Sequence, residues 1–107
     1  MSDQLGMVFG ALADPTRRRM LDTLMRNGST SVPALTAELP ITRQAVAKHL
    51  STLTGAGLIE REPSSSGREI RYRLTPDALA TATAWIQQAD QAWASRLERL
   101  KRSVETR

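Results

Sequence analysis

A chain of 107 residues without a cysteine has room for one small domain, and it excludes a disulfide framework, a thiolate metal site and redox-thiol chemistry. The formal net charge of +4 is unevenly placed: residues 14–74 hold ten Lys/Arg against six Asp/Glu, and the remainder holds five of each, so the positive excess falls on the middle of the chain. The first residues lack a basic stretch followed by an apolar run, and no apolar segment approaches the roughly 20 residues of a membrane span, which predicts a cytoplasmic protein with no membrane partner.

The N-terminal segment carries Leu5, Met7, Val8, Phe9 and Leu12. Asp14 as cap and Pro15 as first residue then predict a helix running to Asn27 and Gly28, with Met20, Leu21, Leu24 and Met25 facing inward. Arg17, Arg18 and Arg19 cover more than half a turn and cannot all face one partner. They read as a solvated first turn with one arginine paired to an acid; the alternative is a phosphate contact by one of them.

Ser31 to Leu39 reads as a short helix, with Ser31 as cap, Pro33 in the first turn, and Val32, Leu35 and Leu39 on its inner face. Only Pro40 and Ile41 separate it from Thr42. Because Pro40 pushes Leu39 away from helical dihedrals, the next helix must cross this one steeply, as in a helix-turn-helix.

That next helix is the most informative segment. Ile41, Val46, Leu50 and Leu53 recur at helical spacing and suit a core, while Arg43, Gln44, Ala47, Lys48 and Ser51 fall on the opposite face. Thr42 stands where its hydroxyl can cap the first backbone N–H groups. The outer face carries donors of the kind that read bases and phosphates, although any amphipathic surface helix has polar residues outside. His49 is read either as a packing residue or as one that faces phosphate.

Gly57 follows where a left-handed residue is wanted. Leu58 to Pro63, the tip Ser64-Ser65-Ser66-Gly67, and Arg68 to Leu74 then form a β-hairpin, with Ile70, Tyr72 and Leu74 on one face and Glu69, Arg71 and Arg73 on the other. A basic hairpin directly after such a helix is the wing of a winged helix, able to lay Arg68 or Arg71 along a phosphate backbone. Alternating charges also suit a solvated strand face.

Thr75-Pro76-Asp77 reads as the opening of the last helix, with a cap, a proline and an acid at the positive end of the dipole. Leu79, Ala82, Ile86, Ala89, Trp93, Leu97, Leu100 and Val104 recur at steps of three and four, the stripe of a helix that packs along another helix. It spans roughly 35–40 Å, more than this domain can cover alone. Both terminal segments are therefore read as packing across a two-fold axis, through Leu5, Val8, Phe9, Leu12, Ile86, Ala89, Trp93 and Leu97. Trp85 and Trp93 suit such an interface; the alternative is that they close a monomer core or a small-molecule pocket.

Leu12-Ala13-Asp14-Pro15-Thr16-Arg17-Arg18-Arg19, Gln44-Ala45-Val46-Ala47-Lys48-His49-Leu50 and Ala56-Gly57-Leu58-Ile59 together resemble the ArsR/SmtB-type winged-helix repressors over nearly the whole chain. The resemblance implies a small, cytoplasmic, dimeric bacterial transcriptional regulator on an inverted-repeat operator, with DNA contacts from the first turns of the recognition helix: Thr42, Arg43, Gln44, Ala47, Lys48 and His49. Pro40 stands where that family usually has glycine, which stiffens the angle between the two helices. The expected architecture is mainly α with a small β-hairpin: one winged helix-turn-helix domain over 1–107, with 31–56 the helix-turn-helix, 57–74 the wing, and 1–13 and 75–107 the dimerisation helices.

Metal-sensing members of that family use cysteine pairs or Asp/His/Glu sets. Here Leu35-Thr36-Ala37-Glu38-Leu39 has no thiol, the last helix has no histidine, and His49 is the one imidazole in the chain, so neither a metal nor another cofactor is expected. A nucleophile with its base and orienter is likewise absent from the sequence pattern, as is a phosphate-cradling glycine motif, so an enzyme is not expected. Two readings compete: a sequence-specific DNA-binding repressor whose partners are double-stranded DNA and a second copy of itself, and a winged-helix protein-interaction module without specific DNA binding. Basic residues on both the helix and the wing favour the first.

Overall fold

Side-chain caps set where four of the five helices begin. The computed structural model describes residues 3–63 and 69–105, arranged as α1 (Gln4–Leu12), α2 (Pro15–Asn27), β1 (Thr30–Ser31), α3 (Val32–Glu38), α4 (Arg43–Gly55), β2 (Ile59–Arg61), β3 (Arg71–Leu74) and α5 (Ala80–Glu105). Asp3, Asp14, Ser31 and Thr42 each accept a hydrogen bond from the backbone N–H three residues on, at 2.9–3.2 Å, which satisfies a donor that the helix itself leaves free.

The core gathers one face from each of α1 to α4 and the base of the sheet. Val8, Met20, Leu24, Leu35, Val46, Leu50, Leu53, Leu58 and Ile59 are all buried there. α2 departs from expectation at one position: Met25 is 61 % exposed, and Thr23 is buried in its stead. Thr23, Met20, Leu24 and Leu21 span the buried arc of the helix, and Met25 lies about 40° past Leu21, beyond its edge. The Thr23 hydroxyl lies 3.2 Å from both the Arg19 carbonyl oxygen and a Glu38 carboxylate oxygen, which supports its burial.

The sheet is antiparallel, in the order β1-β3-β2. Thr30 pairs with Tyr72 and Ser31 with Arg71, while Ile59, Glu60 and Arg61 pair with Leu74, Arg73 and Tyr72. β1 was not expected. It makes β3 a central strand, and all four residues of β3 are consequently half-buried, which goes against the alternative of a fully solvated charged face. The hairpin tip, with Arg68, lies outside the described residues.

The last helix starts later than its cap signals suggest. Asp77 has φ +56, a left-handed conformation that cannot continue a helix. The Thr75 N–H bonds back to the Leu58 carbonyl (3.0 Å), and the Ala78 and Ala80 N–H groups close turns onto Thr75 and Asp77. Thr75 to Leu79 is therefore a tight connection that finishes the wing before α5 begins.

α5 then leaves the body of the protomer. Its Ala82 is buried, but Ile86, Trp93, Leu97, Leu100 and Val104 are 48–67 % exposed. The chain measures 70 × 28 × 27 Å with a radius of gyration of 18.9 Å, against about 13 Å for a compact chain of this length. Trp85 meets Phe9 edge to face, ring centroids 5.8 Å apart, so it joins α5 to α1 within the protomer while staying half exposed. Val8 is 2 % exposed and faces its own core, so it serves the protomer and drops out of the interface set. Leu5, Phe9 and Leu12 remain at the edge of that core, partly buried. Among the described residues, no helix is long and apolar enough to cross a membrane.

Candidate nucleic-acid interface

α4 owes its orientation to both of its faces. Val46, Leu50 and Leu53 anchor the inner one in the core. Leu39 adopts extended dihedrals (φ −105, ψ 141) ahead of Pro40, so the chain turns sharply between α3 and α4. On the outer face Thr42, Arg43, Gln44, Ala47, Lys48 and Ser51 are exposed together. The Thr42 hydroxyl caps the Ala45 N–H at 3.1 Å, leaving the positive end of the helix dipole at the surface beside Arg43.

His49 occupies the flank of α4 and is half-buried. Its Nδ1 accepts from Arg17 Nη1–H at 3.3 Å, since guanidinium has only donors. The same arginine donates from Nε to the Ala11 carbonyl (2.8 Å) and from Nη2 to the Gly10 carbonyl (3.0 Å). It thus caps the C-terminal end of α1, bonding the Ala11 carbonyl and a Gly10 carbonyl that also accepts the Ala13 N–H, where a cation also suits the helix dipole. Arg18 donates to the Leu12 carbonyl in the same way. For Arg17 and Arg18, main-chain capping stands in place of the expected pairing with an acid.

The far end of α4 is tied to α1 as well. The Gln4 side-chain amide donates to the Ala56 carbonyl, next to Gly57, whose φ of +77 disfavours any side chain and where a Cβ would come within 3.0 Å of the Gln4 amide nitrogen. Gln4 at one end and the Arg17–His49 contact at the other fix α4 against α1. Sequence reasoning missed this clamp. Its one local signal was Asp14, whose carboxylate caps the Arg17 N–H (2.9 Å) and so orients the arginine. That bond, foremost among the causes, holds the Asp14 carboxyl below its ordinary value, with the nearby Arg17 charge adding to it.

In the wing, Arg71 is braced from several sides. Its Nε and Nη2 donate to the Ser29 hydroxyl at 3.0 and 2.8 Å, Nη1 meets Glu69 at 3.3 Å, and Glu62 lies 3.9 Å from Nε. Its side chain keeps 37 % of its surface exposed. Arg73 pairs with Glu60 at 3.1 Å across the β2–β3 register. The structure thus brings Thr42, Arg43, Gln44, Ala47 and Lys48 onto one exposed face, sets His49 beside it, and holds Arg71 in the sheet.

Helix, sharp turn, exposed polar helix and antiparallel hairpin together make a winged helix-turn-helix. Residues 12–62 match the family model described as Helix-turn-helix domain. Over 80 residues the chain is 40 % identical to YuzN of Bacillus subtilis, described as an uncharacterized HTH-type transcriptional regulator, covering 69 % of this chain and 82 % of that protein. An ArsR-like transcriptional regulator from Rhodococcus sp. RHA1 superposes with a TM-score of 0.85 at 38 % identity, covering 97 % of this chain and 93 % of the other. A homodimeric winged helix-turn-helix DNA-binding domain from Mycobacterium bovis, described as a possible ArsR-family regulator, has a TM-score of 0.65 at 26 % identity, with 88 % and 84 % of the two chains covered. With this fold and these matches, the chain belongs to the ArsR family of helix-turn-helix transcriptional regulators.

Proposed function

We propose that the protein is a cytoplasmic repressor that binds an inverted-repeat operator as a homodimer. The observation that carries this reading is the two-faced α4: a core-anchored inner stripe opposite exposed Arg43, Gln44 and Lys48. Arg43 or Gln44 reads base edges in the major groove, and Lys48 holds a phosphate or a guanine edge. Arg68 and Arg71 of the wing supply backbone contacts, Arg71 with the guanidinium surface that its intramolecular bonds leave exposed. The uncovered stripe through Ile86, Trp93 and Leu97 supplies the dimer contact, together with Leu5, Phe9, Leu12 and Ala89. One protomer presents one half-site, and the two-fold axis places a second α4 about one helical turn away.

The test is a fluorescence-anisotropy titration of duplexes selected from a random-sequence pool, repeated across a salt series. If each protomer neutralises ~4 phosphates, log K falls against log salt with a slope near −7 for the dimer. Failure to enrich any duplex, or binding indifferent to salt, would favour a protein-interaction module instead.

A further inference from the structure

A groove of about 680 Å³ runs between α2, the base of the wing and the first turns of α5, within the size range of small-molecule sites. Its walls include the core side chains Leu21 and Leu58, and Met25 and Leu79 border it with 61 % and 47 % of their surfaces exposed. These apolar side chains on α2 and in the connection before α5 are what a bound hydrophobic body would cover.

On α5 the groove is separate from the stripe read as the dimer contact, although Leu12 of α1, also read as a dimer residue, borders it. On α5 it uses Ala80, Thr83, Ala84 and Gln87, whereas the stripe runs through Ile86, Ala89, Trp93 and Leu97. At about 100° per residue the two sets are centred roughly 130° apart around the helix. A helix packed along the stripe leaves the groove open.

Its charge selects the occupant. Asp22 and Asp77 both line the groove, and neither carboxylate has a hydrogen-bond or ion-pair partner among the described residues. Among the described residues, the one cation lining it, Arg18, has Nη1 committed to the Leu12 carbonyl. Apolar walls with two unpaired carboxylates suit a positive charge on a hydrophobic frame. We propose that this groove binds a hydrophobic organic cation of roughly 20–25 non-hydrogen atoms, a size that fits the volume.

Tetraphenylphosphonium and tetraphenylborate share shape and apolar surface and differ in the sign of charge, so calorimetric titration of the full chain with each, in potassium-free buffer, isolates the charge. One tetraphenylphosphonium per chain is expected, with a Kd of order 10 µM, and tetraphenylborate at least ~10-fold weaker. A chain of net charge +4 binding by nonspecific attraction would show the opposite order. Ala84→Phe puts a ring into the groove from an exposed helical position and should abolish uptake. The Asp22→Asn/Asp77→Asn double variant should weaken the cation by ~10-fold and erase the preference, asparagine being tolerant of the left-handed backbone at residue 77. Circular dichroism confirms that both variants are folded. Equal or tighter binding of the borate overturns the proposal, as do absence of saturable phosphonium binding and full binding by folded Ala84→Phe protein. Phosphonium uptake that splits a homodimer into monomers also overturns it, because a second copy would then be the natural occupant.

Discussion

Trp93→Ala separates the dimer contact from the fold of the protomer. Trp93 keeps 64 % of its surface exposed in the single chain; of the roughly 250 Å² a tryptophan carries, about 160 Å² is then available to a partner. At ~25 cal/mol per Å² this is an upper value of ~4 kcal/mol per chain. Side-chain ordering and imperfect fit reduce it to ~2–3 kcal/mol. Two copies contribute to one dimer, so Kd should rise by roughly a thousand- to ten-thousand-fold. The protomer loses little, because the side chain contributes nothing to its buried core. Sedimentation over a concentration series, alongside a thermal melt at a concentration where both proteins are monomeric, reads the two effects separately. A variant that dimerises like the parent would refute the reasoning, and so would one whose isolated protomer is unfolded.

The remaining predictions probe the DNA-facing helix, the wing and the clamp. Gln44→Ala should relax preference at one base pair by ~1–3 kcal/mol and leave nonspecific affinity nearly unchanged; competition with single-base operator variants checks this, and uniform weakening would count against base reading. Arg68→Ala should weaken binding to every sequence and lower the salt slope by ~2 for the dimer, one phosphate per protomer, a wild-type slope being the adverse result. Arg17→Ala removes two bonds to the end of α1 and the contact to His49, for a loss of ~1–2 kcal/mol and a fall in Tm of roughly 4–10 °C; Arg17→Lys should recover part of it in the same melt. The Asp14 carboxyl is held below its ordinary value by the Arg17 N–H, so its contribution to stability is complete above the ordinary carboxylate range and is lost as pH falls through the lowered value. Urea midpoints of the parent and of Asp14→Asn should therefore differ by a steady offset above that acidic window and converge as pH falls through it, and an offset independent of pH would contradict the assignment.

The sequence announces this fold most clearly where one local signal suffices. Ser31, Thr42 and Asp14 cap where they were expected to, and Gly57 takes the left-handed turn, because a cap or a turn is decided within four residues. The inner and outer faces of α4 were legible for the same reason. β1 was not: two polar residues, Thr30 and Ser31, carry no alternation, and their pairing depends on β3 some forty residues on. The α5 boundary was misread because cap, proline and acid at 75–77 satisfy the local pattern, while the bond from Thr75 to Leu58 holds the chain in the wing. Arg17 illustrates the same limit at the site. Its role depends on the end of α1, the start of α2 and the flank of α4 meeting in space, and no spacing rule joins Gly10 to His49. Arg71 was found as a basic wing residue, but its brace on Ser29 follows from the unforeseen strand.

Two copies of α4 lying in successive major-groove faces of one duplex is the central claim, and a hydroxyl-radical footprint on a selected operator, saturated at two chains per duplex, tests it most directly. The expected pattern is two protected tracts related by a dyad, their centres about 10–10.5 base pairs apart, with Gln44→Ala relaxing the sequence requirement inside each tract and leaving the tracts in place. A single tract, tracts without dyad symmetry, or saturation at one chain per duplex would contradict the account.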